Sequence, residues 1–240
     1  MSAKRNLKPN RRSRYPDLDE AVNAQTFFEP KKNVKPPVTP KNRHQVEYFN
    51  AMRTAQVTIG AGPAGTGKTL LAADYAATEI MDRRKSQIIL VRPAIESGAS
   101  LGLLPGTLEE KFAPYLAPVR EYLIDRMGKS QYEMAVKDER ISPQPLGYMR
   151  GSTFKDCVVI VDEAQNITPA EMKMLLTRIG DNCTMIINGD VEQCDLKGDC
   201  GLEDAIDKIE LVEGVVVVEF DEDDCLRSPI VKAILKAYRY

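Results

Sequence analysis

A segment of eight residues, about a quarter of the way along the chain, constrains the fold more than any other feature. It reads GPAGTGKT and matches the complete pattern G-x-x-x-x-G-K-[ST], whose backbone N–H groups surround a phosphate. An apolar stretch, residues 57–60, precedes it, and the helical pattern that follows adds partial positive charge beneath the anion. The segment therefore predicts a phosphate-binding loop between a buried strand and a helix. Its members are Gly62, Pro63, Ala64, Gly65, Thr66, Gly67, Lys68 and Thr69.

The residue types around this loop predict a site for ATP and Mg²⁺. Lys68 is placed to reach the β- and γ-phosphates, and the hydroxyl of Thr69 is placed to bind the metal. Further along, the apolar stretch at residues 158–161 ends in Asp162, the position of the magnesium-binding acid in P-loop enzymes. Glu163 follows directly and is placed to polarise a water toward the γ-phosphorus. The combination predicts hydrolysis of ATP.

Two glutamines are further candidates for contact with the nucleotide. Gln193 follows the apolar stretch at residues 185–188, and ligands of open α/β sheets sit outside the carboxyl ends of the strands. It is therefore interpreted as a sensor of the γ-phosphate or as a residue that orients water, with an ordinary polar loop residue as the alternative. Gln45 precedes the first strand and is interpreted as a reader of the adenine edge, with an ordinary surface glutamine as the alternative.

Apolar runs and helical patterns alternate over most of the chain and predict an α/β fold. Continuous apolar strands separated by helices indicate a parallel sheet covered by helices on both faces. Residues 94–150 interrupt this alternation as a long mixed insertion. The predicted strands are residues 57–60, 88–91, 158–161, 185–188 and 215–220, and the predicted helices are residues 40–53, 68–83, 169–179, 202–209 and 229–238.

The amino-terminal part has a different character and is predicted to be a basic, proline-rich, mostly extended arm over residues 1–39, with a short helix near residues 18–27. Residues 1–43 contain eleven Lys and Arg but four Asp and Glu, although the whole chain carries a net charge of −2. Such an arm on an acidic body suits contact with a polyanion such as nucleic acid. A solvated arm without a partner is the alternative.

Several features bound the class of protein. No apolar run is long enough for a membrane span, so no membrane association is expected. The five cysteines lack metal-ligand spacing and are interpreted as reduced thiols of a cytoplasmic protein. The acidic run at residues 221–224 is interpreted as a solvated turn rather than a metal site.

The chain from residue 40 to residue 240 resembles the PhoH-like family of P-loop ATPases. The phosphate loop and the VDEAQN segment are shared with other ATPases, whereas the RPA, LPG and YMRG segments in this order are more specific. Near its end the family commonly has Arg-His-Pro, where this chain has Arg227-Ser228-Pro229. The segments that carry the resemblance are GPAGTGKT at Gly62, VRPAIESG at Val91, LGLLPGTLEEK at Leu101, GYMRGST at Gly147, VDEAQN at Val161, LTRIG at Leu176, NGDVEQCDL at Asn188 and RSPIVKAILKAY at Arg227.

The resemblance implies a RecA-like domain similar to that of superfamily 1 helicases, with ATP, Mg²⁺ and a link to RNA handling. It also implies an endoribonuclease as a possible partner. A positively charged groove with aromatic platforms is what single strands need. The candidates for such a groove here are Arg92, Tyr148, Arg150 and Thr153, and packing of the insertion is the alternative for Tyr148 and Arg150.

Three functions remain open on the sequence: an ATPase coupled to RNA or single-stranded DNA, a nucleotide-controlled assembly or scaffold module, and a small-molecule kinase. Glu163 beside Asp162 disfavours the kinase, because an acid that activates water would waste ATP. A translocating helicase places ATP between two such domains, and this chain contains one. A homo-oligomer, most simply a hexameric ring, is therefore expected, with Arg227 or Arg178 supplied to the neighbouring subunit's ATP as an arginine finger. An ordinary surface or salt-bridging arginine is the alternative for each.

Overall fold

Six parallel strands form one sheet in the part of the chain that the structure describes. The computed structural model describes residues 34–93, 117–149 and 151–238. The strand order is β3-β2-β4-β5-β1-β6, and every neighbouring pair is parallel. The strands are β1 (Val57–Ala61), β2 (Gln87–Val91), β3 (Ile141–Pro143), β4 (Cys157–Val161), β5 (Cys183–Gly189) and β6 (Val215–Glu219).

The helices begin where the sequence provides caps. Asn42 accepts a hydrogen bond from the backbone N–H of Gln45 at the start of the first helix. Thr168 and Glu171 form a capping box at the start of the fifth, with Pro169 at its first position. The helices of the described residues are α1 (Arg43–Thr54), α2 (Lys68–Met81), α3 (Ala117–Met127), α4 (Lys129–Lys137), α5 (Pro169–Leu176), α6 (Gly201–Ile209) and α7 (Pro229–Tyr238).

The hydrophobic core lies on both faces of the sheet. Side chains alternate along each strand, so Ile160 faces one side while Val159 and Val161 face the other. Helices α1, α2, α3 and α4 contribute to the first cluster, and α5 and α6 contribute to the second. The predicted parallel sheet with helices on both faces is confirmed. No helix among the described residues is both long and apolar enough to cross a lipid bilayer.

The sheet has one strand more than the sequence analysis predicted. Strand β3 consists of three residues at the edge of the sheet and ends in Pro143. Such a short run with a proline carries almost no strand signal, and proline is tolerated only at an edge. The described portion of the predicted insertion also contains α3 and α4, so it adds a strand and two helices to the domain. The short helix predicted near residues 18–27 lies outside the described residues.

The strand order decides which side chains can meet. Strand β5 lies between β1, which leads into the phosphate loop, and β4, which leads into Asp162. Because all strands are parallel, their carboxyl ends lie along one edge of the sheet. The residues that follow β1, β2, β4 and β5 are therefore brought together there.

The last residues of the predicted arm lie against the folded domain. The backbone N–H of Lys35 donates to the carbonyl oxygen of Asp125 in α3, over 3.0 Å. Val38 packs against the core cluster on the α1–α4 side of the sheet. The chain thus contacts α3 at Lys35 before it enters α1.

Candidate nucleotide site

The loop between β1 and α2 is shaped by glycines that no other residue could replace without strain. Gly62, Gly65 and Gly67 have φ angles of 129°, 87° and 89°, in the region that L side chains rarely adopt. A Cβ on Gly62 would lie 2.2 Å from the carbonyl oxygen of Phe220. The backbone can take this shape only with glycine at these positions.

Lys68 points back into the loop that precedes it. Its Nζ donates to the carbonyl oxygens of Gly62, over 2.6 Å, and Pro63, over 2.8 Å. The residue is 8% exposed, and burial lowers the pKa of its ammonium group to about 8, against the opposing effect of Asp190 and the other nearby acids. A buried ammonium at the centre of a phosphate loop is the main counter-charge for an anion bound there.

Thr69 and Asp162 meet directly. The Thr69 hydroxyl donates to Oδ1 of Asp162 over 3.0 Å. Burial raises the pKa of Asp162 above its ordinary value, although the hydrogen bond from Thr69 lowers it. A hydroxyl and a carboxylate oxygen at this separation are hard oxygen donors of the kind that Mg²⁺ uses, so the two residues fit the expected magnesium site.

Glu163 is held from two sides. Nη2 of Arg92 lies 3.1 Å from Oε1 of Glu163, and Gln165 donates through Nε2 to Oε2 of Glu163 over 2.7 Å. Its φ of 58° is unusual for a residue other than glycine, and it turns the chain sharply after β4. Arg92, which the sequence suggested for a nucleic-acid groove, thus contacts the acidic residues of the nucleotide site.

The end of β5 adds further polar groups to the same cleft. Gln193 donates through Nε2 to Oδ2 of Asp190 over 2.5 Å. The backbone N–H of Asp190 in turn donates to Oε1 of Gln165 over 3.2 Å. The cleft has a volume of about 320 Å³ and is lined by the phosphate loop together with Asp162, Glu163, Asp190 and Gln193.

Gln45 of α1 is hydrogen-bonded to the backbone of the phosphate loop. It is 3% exposed, and its Nε2 donates to the carbonyl oxygen of Thr66 over 2.8 Å. Its Oε1 accepts a hydrogen bond from the backbone N–H of Lys41 over 2.7 Å. As placed, both ends of the amide are engaged with the chain, and Gln45 is not the surface residue of the alternative interpretation.

The segment after β6 covers the other side of the loop. The backbone N–H of Leu226 donates to the carbonyl oxygen of Gly65 over 3.0 Å. The side chain of Arg227 crosses Gly65, with its Nε 2.7 Å from the position that a Cβ there would take. Arg227 therefore lies beside the phosphate loop of its own chain.

The acidic run before Arg227 is not only a solvated turn, as the sequence analysis expected. Asp224 is 5% exposed and its Oδ2 lies 2.6 Å from Nδ1 of His44. This hydrogen bond raises the pKa of His44 above its ordinary value. The interpretation was wrong for Asp224, because its carboxylate ties the segment after β6 to α1.

The remaining sequence candidates lie apart from this cleft or outside the described side chains. Arg178 follows α5, and its carbonyl oxygen accepts a hydrogen bond from the backbone N–H of Phe154, just before β4. This places it at the amino edge of the sheet, opposite the phosphate loop. Thr153 is exposed near that edge. The side chain of Tyr148 and the whole of Arg150 are outside the description.

Sequence reasoning missed two tyrosines near the nucleotide cleft. Tyr48 of α1 is fully buried and donates its hydroxyl hydrogen to Oδ1 of Asn188 over 2.5 Å. Tyr122 of α3 lines the cleft near Leu70. Neither residue belongs to a motif, so only the packing of α1 and α3 against α2 and the sheet reveals them.

A glycine-shaped loop with a buried lysine, and a threonine hydrogen-bonded to an acid two strands away, define a P-loop nucleotide-binding protein. Within that class, the chain belongs to the PhoH family. The family model described as "PhoH-like protein" matches residues 37–239.

Curated relatives agree with this assignment. "Protein PhoH" of Escherichia coli (strain K12) is 43% identical over 206 residues, which cover 84% of this chain and 58% of that protein. "PhoH-like protein" of Bacillus subtilis (strain 168) is 46% identical over 200 residues, which cover 82% of this chain and 63% of that protein. The chain thus spans about six-tenths of the length of these relatives.

A solved structure shares the fold at low sequence identity. The large terminase of a thermophilic bacteriophage has a TM-score of 0.50 and 14% identity, and the match covers 82% of this chain and 50% of that one. The expected RecA-like α/β architecture is confirmed.

Proposed function

We propose that this protein binds ATP with Mg²⁺, hydrolyses the terminal phosphoanhydride bond, and couples hydrolysis to RNA or another single-stranded nucleic acid. The observation that carries the hydrolytic part is the hydrogen bond between Thr69 and Asp162, beside the buried Lys68. It brings the phosphate loop and the acid that follows β4 into contact across the intervening strand β5, which supports the proposed site. The free thiols of all five cysteines fit the cytoplasmic location that we propose.

Several polar residues in and around the cleft have a defined part in the proposed reaction. Lys68 binds the β- and γ-phosphate oxygens, and Thr69 and Asp162 would hold Mg²⁺, which neutralises charge on the same oxygens. Glu163 accepts a proton from the water whose oxygen attacks the γ-phosphorus, and ADP leaves with the bridging oxygen. Arg92 and Gln165 orient the Glu163 carboxylate. Gln193 is proposed to contact the γ-phosphate or the attacking water.

Two substitutions test the hydrolytic part. Lys68→Ala removes the main counter-charge of the phosphates and should abolish tight ATP binding. Glu163→Gln keeps the shape of the side chain, so binding should remain while turnover falls by roughly a hundredfold or more. Glu133→Gln on the exposed face of α4 is the matched control and should behave like the parent. Turnover at the parental rate in Glu163→Gln would show that another group activates the water.

The coupling to nucleic acid rests on charge and on family resemblance. Residues 1–33 contain eight Lys and Arg but four Asp and Glu, and their deletion leaves the contacts of residues 34–39 with α3 in place. Single-stranded RNA should stimulate the ATPase of the full chain. The deletion should weaken RNA binding and flatten its salt dependence, because fewer counterions are released. A salt slope that does not change on deletion would exclude the arm as a binding element.

Nucleotide-controlled assembly is the second candidate, and two features of the described residues favour it. Ile230 and Ile234 lie one turn apart on α7 and are 66% and 48% exposed, so they offer an apolar pair that a second subunit would cover. Arg178 lies at the sheet edge opposite the cleft, where a head-to-tail neighbour could use it as an arginine finger. We propose a homo-oligomer, in the simplest case a hexameric ring, with an endoribonuclease as a further possible partner. An ATPase that ignores RNA but changes its mass in solution with ATP would favour assembly over strand handling.

A further inference from the structure

Two cysteine thiols donate to one carbonyl oxygen, that of Gln165, whose side chain holds Glu163. Sγ of Cys194 donates to this backbone oxygen over 3.2 Å, and Sγ of Cys200 donates to it over 3.5 Å. The two sulfur atoms therefore cannot be farther apart than these two lengths taken together. The hydrolytic chemistry proposed above uses neither thiol.

The two thiols differ in their access to solvent. Cys194 directly follows the short turn of helix that contains Gln193, and it is partly exposed. Cys200 is the N-cap residue of α6 and is buried. Burial raises the pKa of the Cys200 thiol and the nearby Cys194 raises it further, whereas backbone N–H groups at the start of α6 lower it. An oxidant from solvent therefore meets Cys194 first.

The segment between the two cysteines leaves room for the sulfur atoms to approach. It consists of residues 195–199, most of which are exposed. Asp195 is held through its backbone N–H, which donates to Oδ1 of Asn166 over 3.1 Å. A Cβ added at Gly198, in contrast, would meet no atom within 4 Å. A disulfide needs the sulfur atoms at about 2 Å, so rotation of the two side chains together with residues 196–199 has to close the distance.

The other cysteines of the chain lack this combination of proximity and access. Cys157 and Cys183 lie closer to each other, with their sulfur atoms 3.8 Å apart, but both are buried at the start of neighbouring strands. Cys225 is buried, and its Sγ donates to the carbonyl oxygen of Ala64. Among the five cysteines, all of which the structure describes, only Cys194 is more than slightly exposed.

We propose that Cys194 and Cys200 form an oxidation site, which hydrogen peroxide converts into a disulfide and which thereby lowers ATP turnover. The thiolate of Cys194 attacks one peroxide oxygen, so an S–O bond forms, the O–O bond breaks, and hydroxide leaves. The Cys200 sulfur then attacks the sulfur of this sulfenic acid, the S–S bond forms, and the oxygen leaves as water. In total two thiols and one peroxide give one disulfide and two water molecules. Such a bond is transient where cellular thiols reduce it, as expected of a sensor.

The disulfide acts on the site through Gln165. Its sulfur atoms carry no hydrogen, so both donors to the buried carbonyl of Gln165 are lost. A buried acceptor without a partner is costly, and Gln165 has to shift to find another. Its side chain donates to Glu163 and accepts from the backbone of Asp190, so the carboxylate of Glu163 shifts with it. Lys68 and the phosphate loop are outside this chain of contacts, and ATP binding should be retained.

The test oxidises the full-length protein with hydrogen peroxide and maps its thiols. Lys197 lies between Cys194 and Cys200, so trypsin separates the two cysteines unless a disulfide joins their peptides. Mass spectrometry after alkylation should find these peptides joined, while Cys157 and Cys183 are alkylated as free thiols. In the same samples kcat should fall by roughly tenfold or more, a part of the hundredfold or more that a positioned base contributes, with the affinity for ATP unchanged.

Three variants and a reductant assign the effect. Cys194→Ser and Cys200→Ser each keep a hydroxyl donor in place of the thiol but cannot form the disulfide, so their kcat should not fall on treatment. Cys225→Ser retains the pair and should lose turnover on treatment as the parent does. Dithiothreitol should restore the parental kcat, because it reduces a disulfide but not a sulfinic or sulfonic acid.

The effect on turnover rests on the proposed function, whereas the disulfide itself does not. Separate peptides for Cys194 and Cys200 after treatment of the parent would overturn the oxidation site, and this result needs no variant to fold. A disulfide that leaves kcat unchanged, or a loss of kcat that persists in Cys194→Ser, would overturn its action on the nucleotide site. Failure of the reduced, unmodified protein to hydrolyse ATP would instead refute the proposed function, and the peptide map would still decide whether the oxidation site exists.

Discussion

Removing one hydroxyl group beneath the phosphate loop is expected to destabilise the whole domain. Tyr48 is fully buried, and its hydroxyl is the hydrogen-bond donor to Oδ1 of Asn188. Nδ2 of Asn188 is itself buried without a hydrogen-bond partner among the described residues. Tyr48→Phe keeps the ring and its edge-to-face contact with Phe220, and it removes only the donor.

The expected magnitude follows from the group that is left behind. A buried acceptor that loses its partner costs about 1–3 kcal/mol, more than the net value of the hydrogen bond itself. A loss of about 2 kcal/mol lowers the melting temperature by roughly 4–8 °C in a domain of this size. Urea unfolding of the parent and of Tyr48→Phe measures the difference in the free energy of unfolding directly.

A second substitution identifies the cause. In Tyr48→Phe/Asn188→Leu both polar partners are absent, so the double variant should be destabilised by clearly less than the sum of the two single variants. Tyr48→Phe within about 0.5 kcal/mol of the parent would refute the reasoning, since even the low end of the expected cost is larger. Strict additivity in the double variant would show that the two side chains are not energetically coupled.

Three further predictions concern the loop, its pH dependence and its neighbours. Gly62→Ala forces a Cβ against the Phe220 carbonyl and should abolish ATP binding in calorimetry, whereas Gly198→Ala, which meets no atom within 4 Å, should bind normally. Because Asp224 raises the pKa of His44, the stabilisation from this pair is present below pH 6.5 and is lost as the pH rises through the folded-state pKa. Urea unfolding at about pH 6 and about pH 8.5 should show this loss in the parent and not in His44→Gln. The same change in the free energy of unfolding between the two pH values in both proteins would contradict the prediction. Mixing Arg178→Ala with Glu163→Gln subunits should restore some ATPase, whereas mixing Arg227→Ala with Glu163→Gln should not, because Arg227 lies on its own chain's loop. Recovery of ATPase in the Arg227→Ala mixture but not in the Arg178→Ala mixture would mean that Arg227, and not Arg178, is supplied to the neighbouring subunit.

The parts of the site that a sequence can predict are those built from contiguous residues. The loop from Gly62 to Thr69 determines its own shape, because each special φ angle falls on a glycine within the motif. Asp162 was predictable because it ends an apolar run, and its contact with Thr69 follows from the shared edge of a parallel sheet. Most strands and helices were likewise marked by uninterrupted apolar runs and capping residues.

The parts that could not be predicted depend on long-range packing. Arg92 carries a charge that is equally compatible with a nucleic-acid groove and with an acidic neighbour, and only the adjacency of β2 and β4 decides that it contacts Glu163. Asp224 belongs to an acidic run with every local sign of a solvated turn, and only the approach of α1 buries it against His44. Strand β3 is too short to carry a pattern at all.

The position of β5 between β1 and β4 allows a chain of hydrogen bonds to join Gln193 to Glu163. Gln165, which is 2% exposed, accepts a hydrogen bond from the backbone of Asp190 and donates one to Glu163. Asp190 also accepts the hydrogen bond from Gln193. A movement of Gln193 toward a phosphate would therefore act on Asp190, and through the single buried amide of Gln165 it would reach the carboxylate that is proposed to activate water. Because buried amides of this kind are costly to leave unpaired, Gln193, Asp190, Gln165 and Glu163 are expected to move together rather than one at a time.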